Sequence, residues 1–76
     1  MVIEKYFKIK KKHIAPFQFI IEGYEGMATV TTIDPQTAII KISIMPDLAE
    51  NISVLLNELE NVYSIIPIEK PKKEVV

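Results

Sequence analysis

The residue best equipped for proton chemistry is His13, the single histidine of the chain, and it stands beside Lys11 and Lys12. A histidine serves as general acid or base when a carboxylate or nucleophile is held within reach of its ring. No such partner stands out around His13, so it reads as a surface loop residue. Ser43, Ser53 and Ser64 fall in the bodies of strands or helices, away from the sharp strand-to-helix turn that exposes a serine nucleophile. With no cysteine, thiol catalysis, disulfides and Cys/His zinc clusters are excluded. Two groupings keep a chemical reading. Glu22 and Glu25 form a carboxylate pair around a helix end, where acids oppose the helix dipole at a cost of about 0.3–1 kcal/mol. Lys11, Lys12 and His13 precede a helix whose first N–H groups could hold a carboxylate or phosphate. The expectation is no enzyme, no metal and no cofactor, with a ligand, if any, at Lys11, Lys12 and His13.

The elements that place these groups follow from periodicity. Ile3 to Lys10 alternates as a strand does, with Ile3, Phe7 and Ile9 on one face and Glu4, Tyr6, Lys8 and Lys10 on the other. Lys5 interrupts the apolar face, and Lys11-Lys12-His13 reads as a polar connection. Pro16 suits a helix's first turn, because its missing N–H costs nothing there. From it Phe17, Ile20, Ile21 and Tyr24 fall at i, i+3, i+4 and i+7, one apolar stripe with Phe19 on the opposite side. That helix spans about two turns, too short to persist without packing.

Glu22-Gly23-Tyr24-Glu25-Gly26 contains both glycines of the chain. Gly23 is expected in the left-handed conformation that ends a helix, and Gly26 at the turn into the next strand. Met27 to Ile33 is rich in β-branched residues and reads as a strand. Asp34-Pro35-Gln36-Thr37 makes a turn, and Ala38 to Met45 pairs back as a hairpin. Asp47 and Glu50 have the spacing of a capping box before the stripe of Leu48, Ile52, Leu55, Leu56 and Leu59. Val62 to Ile68 reads as a last strand, an edge strand because of Pro67.

Strand, helix, strand, strand, helix, strand is the order of an α+β, ferredoxin-like βαββαβ fold. Its four antiparallel strands take the order 4-1-3-2, and both helices cover one face. Residues 1–68 form one domain, and 69–76 a charged tail expected to fray. At 76 residues, 49% hydrophobic and 25% charged, this is ordinary globular composition with a modest core. No apolar run nears the roughly 20 residues that span a bilayer, and Met1 to Tyr6 has no apolar signal-peptide core. A cytoplasmic protein without membrane contact is expected. The net charge is −1, with lysines gathered at the two ends of an acidic body. That distribution argues against a nucleic-acid footprint, which needs a basic face.

The run from Phe19 through Glu22-Gly23-Tyr24-Glu25-Gly26 to Ala28-Thr29-Val30-Thr31-Thr32-Ile33-Asp34 carries a further resemblance. With the strand, Pro46 and Leu-rich helix that follow, it resembles the domain-of-unknown-function family 4911. That resemblance covers most of residues 14 to 60. It implies a small bacterial cytoplasmic protein and brings no activity or ligand with it. In topology the chain is also similar to ACT-type regulatory domains, which bind small ligands, often amino acids, between paired domains. Where those domains usually carry a glycine between first strand and first helix, Lys11-Lys12-His13-Ile14 stands here.

Two helices on one face leave the other face of the sheet open. Tyr6, Thr29, Thr31, Ile39, Lys41 and Met45 are expected there. Half-apolar faces on small domains mark protein contacts, often self-contacts. The reading is an interaction or regulatory module, a homodimer or a docking partner of another protein. Thr29, Thr31, Ile39, Lys41, Met45 and the off-stripe Phe19 are the interface candidates. The alternative is an ACT-like sensor of an amino acid or small anion.

Overall fold

The computed structural model describes residues 1–24 and 28–72. The chain runs β1 (Ile3–Lys8), α1 (Lys11–Gly23), β2 (Ala28–Asp34), β3 (Ile39–Ile44), a 3-10 turn (Pro46–Leu48), α2 (Ala49–Tyr63) and β4 (Ile66–Ile68). The four strands pair antiparallel in the order β2-β3-β1-β4, which is 4-1-3-2 read from the other edge. The ferredoxin-like arrangement expected from the pattern is the one found.

Alternation decides which side chains enter the core. Phe7 stands opposite Ile40, Lys5 opposite Ile42 and Ile3 opposite Ile44, so these share the helix-facing side. Ile40, Ile42 and Ile44 are fully buried, and Phe17 and Ile21 of α1 and Ile52 of α2 close over them. Fully burying side chains of this size contributes about 1.5–3 kcal/mol each. On β2, Val30 and Ile33 are both buried, and of the two only Val30 belongs to the cluster under the helices. A bulge interrupts the register between Thr32, opposite Ile40, and Asp34, opposite Ile39.

Several boundaries differ from the sequence expectation. The first helix begins at Lys11, so Lys11, Lys12 and His13 form its first turn instead of a connection, and Pro16 lies inside the helix. Ile9 still donates to the Ala38 carbonyl at 3.1 Å, which holds the chain to the sheet until just before the helix. Packing sustains this early start. The His13 ring meets Tyr63 edge-on at 5.3 Å, and Phe17 meets Tyr63 at 6.0 Å, pinning the start of α1 to the end of α2 with about 0.5–1.5 kcal/mol per pair. The same ring contacts explain why α2 runs through Tyr63 where a strand was expected from Val62.

Asp47 and Glu50 do not form a capping box. Pro46 begins a 3-10 turn closed by the Leu48 N–H on the Met45 carbonyl at 3.0 Å. The cap of α2 is Leu48, which makes no side-chain hydrogen bond.

Gly23 is a further correction. It is the last residue of α1, not left-handed, and a Cβ there would meet nothing within 4 Å. The left-handed positions are instead Ala38 (φ 57°) and Ser64 (φ 53°). Side chains resist this conformation by roughly 1–2 kcal/mol. Ser64→Gly is therefore expected to raise stability by about 1 kcal/mol. Gly23→Ala should be neutral or stabilising by up to about 1 kcal/mol, since it raises helix propensity without a clash. Urea unfolding of the two variants checks both expectations.

Candidate functional site

Three regions hold the residues singled out by the sequence. The first is the start of α1. Lys11, Lys12 and His13 come together on its first turn, with no acidic residue there to favour the dipole. His13 is half-buried, and its Nδ1 is buried without a hydrogen-bond partner among the described residues. Its ring is committed to Tyr63. The nearest compensation for the lysines comes from the β2–β3 turn. Asp34 Oδ1 accepts the Gln36 N–H at 3.0 Å and the Thr37 N–H at 3.4 Å, the geometry of an Asx turn. The Thr37 hydroxyl foremost, then these N–H groups and the charge of Lys11, hold the Asp34 carboxyl below its ordinary range. A carboxylate of the chain itself thus already lies in the field of this helix end.

The second region is the end of α1. Glu25 and Gly26 lie outside the described residues, but Glu22 has a defined role. Its carboxylate accepts the Val30 N–H at 3.0 Å and the Gln18 side-chain amide at 3.3 Å. β2 is an edge strand, so Val30 directs this N–H away from β3, where no strand pairs with it. Glu22 therefore joins the last turn of α1 to the sheet edge with a charge-assisted hydrogen bond. That gain offsets the dipole cost that made the residue look functional. Tyr24 caps the helix, donating its N–H to the Ile21 carbonyl at 3.3 Å. No local spacing announces the Glu22 contact, because it spans eight residues and needs the sheet to exist.

The third region is the sheet face that no helix covers. Register places Glu4, Tyr6 and Lys8 of β1, Thr29 and Thr31 of β2, Ile39, Lys41 and Ser43 of β3, and Ile66 and Ile68 of β4 on it. Met45 follows β3 at its lower rim. Thr29 and Thr31 are exposed, Ile39 and Lys41 half-buried, and Met45 and Ile66 are 53% and 57% exposed. Tyr6 departs from expectation. It is buried on this open side, between its register neighbours Lys41 and Ile68. Lys41 pairs with Glu4 at 3.4 Å, an exposed contact contributing about 0–1 kcal/mol. Phe19 does not belong here. It is 81% exposed and lies two residues from both Phe17 and Ile21. At 3.6 residues per turn that is about 180° from their buried stripe, so Phe19 points away from the sheet altogether.

Among the described residues no helix is long and apolar enough to cross a membrane. Compared with known proteins, residues 7–62 match the family model described as Domain of unknown function (DUF4911). No curated protein and no solved structure matches the chain.

Two outcomes follow from the first two regions. Glu22→Ala should cost about 1 kcal/mol, a charged hydrogen bond discounted for exposure, and speed amide exchange at Val30, while Glu22→Gln keeps an acceptor and most of the protection. For Asp34 the folded pKa is depressed, so its contribution is present above the unfolded value and lost as pH falls through the folded one. Carboxyl-carbon NMR should show Asp34 titrating below 3.8.

Proposed function

We propose that this chain, which belongs to the family described as Domain of unknown function (DUF4911), is a non-enzymatic interaction module that self-associates through the open face of its sheet. The observation that carries the reading is that face itself, where exposed Met45 and Ile66 share a surface with Ile39, Ile68 and the two threonines. Lys8 stands between Ile66 and Ile39, and Tyr6 and Lys41 between Ile68 and Thr31, so the face is mixed, with apolar residues interleaved among polar ones. Exposed Phe19 is instead carried on α1, and Val54 and Val62 on α2 about two turns apart; scattered apolar residues of that kind are ordinary surface.

Size and charge favour a second copy as the occupant. The molecule measures 30 × 28 × 17 Å, so the ~800 Å² per partner of a standard interface would take most of its broad side, sheet face and rim together. Glu4 and Lys8 lie on the same face of β1, either side of Tyr6. A two-fold axis crossing β1 at Tyr6 sets Glu4 of one copy against Lys8 of the other, the self-complementarity an isologous contact requires. Pairing through the β2 edge is disfavoured, because Glu22 occupies the Val30 N–H. A small-ligand sensor at Lys11, Lys12 and His13 has less support, since the His13 ring is already committed to Tyr63.

Light scattering on the full chain should return about twice its 8.7 kDa mass. Ile66→Glu, at a position exposed within one chain, should yield a folded monomer. A monomeric unaltered chain at high micromolar concentration contradicts the proposal, and so does an Ile66→Glu variant that stays dimeric.

A further inference from the structure

We propose that a cleft between β1, β4 and α2 binds a small organic acid, its carboxylate held by Lys5 and Lys70 and its apolar body by Phe7 and Leu56. The cleft has a volume of about 430 Å³, within the ~300–1,000 Å³ typical of small-ligand pockets. It lies where β1 and β4 meet α2, and Glu4, Tyr6 and Ile68 of the open face form part of its rim, while Phe7 and Leu56 belong to the helix-covered side.

The cleft exists because β4 is only three residues long. Its ladder with β1 stops at Tyr6 opposite Ile68, leaving the first half of β1 without a neighbour on that side. Ile9 donates to Ala38 on the β3 side, so by alternation Glu4 turns its own N–H and C=O towards the gap. From α2, Ser53 and Asn57 line the opening one turn apart. Hydrogen-bonding groups thus converge on an apolar floor, the combination that orients a small ligand.

Lys5 is the anomaly that gives the cleft its chemistry. Its register places it on the core side of β1, opposite fully buried Ile42 and between Ile3 and Phe7. Lys5 itself is exposed, so its ammonium is accessible at the mouth of the cleft while its register neighbours close the core. No ion pair engages Lys5 or Lys70 among the described residues. Of the two acids at the rim, Glu4 has its carboxylate on Lys41, which leaves Glu60 alone against two lysines. The lining is therefore cationic beside an apolar floor. A carboxylate bearing an apolar group answers both halves.

Octanoate, kept below its micellar concentration, is a suitable probe, with octanol as its uncharged counterpart. In an amide-shift titration of the full chain, octanoate should move Lys5, Ser53, Leu56 and Ile68 saturably in the millimolar range, with octanol markedly weaker. Lys5→Met should weaken octanoate binding about tenfold, the loss of one charged contact, while the fold holds or gains stability against urea. Lys70→Met should weaken binding in the same direction, and Lys8→Met, on the other face of β1, should leave it unchanged. Equal affinity for octanol and octanoate, absence of saturable shifts, or unchanged binding in Lys5→Met would overturn the assignment. A loss of stability in Lys5→Met would do so as well, by giving the lysine a packing role.

Discussion

Two helices can cover only one face of a four-stranded sheet, and the structure is arranged around that constraint. β3 lies inside the sheet, paired with β1 and β2, and its Ile40, Ile42 and Ile44 are completely buried. Their burial requires α1 and α2 to lie on the same side, with Phe17, Ile21, Ile52, Leu56 and Leu59 turned inwards. Every alternate residue of the four strands is then committed to the opposite side. The bulge near Thr32 shifts the register of β2 against β3 at its end, after Val30 has already joined the core. Lys5 interrupts the helix-facing alternation of β1, and it does so where that side is exposed, beside the cleft.

A small sheet must also manage its two edges. At β2, the Glu22 carboxylate takes the Val30 N–H that another strand would seek. At β4, brevity and Pro67, which has no N–H to offer, limit what an incoming strand could pair with. With both edges blunted in these ways, the broad uncovered face is the larger surface left for a partner. Energetics point the same way. Edge pairing would displace a charge-assisted hydrogen bond, whereas face packing buries apolar area at about 25 cal/mol per Å².

Much of this was legible in the chain. The order of the elements, the hairpin, the strand order and the inward stripe of α2 all follow from periods of 2 and 3.6. Val54 lies off that stripe and is 61% exposed. Boundaries were harder, for identifiable reasons. Pro16 looked like a helix start, but ring contacts to Tyr63 extend α1 five residues ahead of it, to Lys11. The β-branched Val62 suggested a strand, and the same tertiary contact overrode that propensity. Gly23 was credited with a backbone strain that Ala38 and Ser64 carry instead. Residue type alone does not reveal a left-handed position when the surrounding structure enforces it. Of the candidate residues, those of the open face were readable from alternation, whereas Tyr6 was expected exposed and is buried. The Glu22 contact was not readable, because it joins a helix to a strand edge that only the fold brings near. The cleft beside Lys5 had a trace in the sequence, a lysine interrupting an apolar face, but its walls come from β4 and α2.

The central claim is that the uncovered sheet face, and not the helix layer, is the surface on which the chain meets a second copy. Solvent paramagnetic relaxation in a concentrated solution of the intact protein tests this most directly, residue by residue. The account predicts that the methyl groups of Thr29, Thr31, Met45 and Ile66 become shielded from the soluble probe as concentration rises. Phe19 and Val54, on the helix layer, should remain accessible throughout. Shielding of Phe19 and Val54 with the sheet face still open, or no concentration dependence on either side, would contradict it.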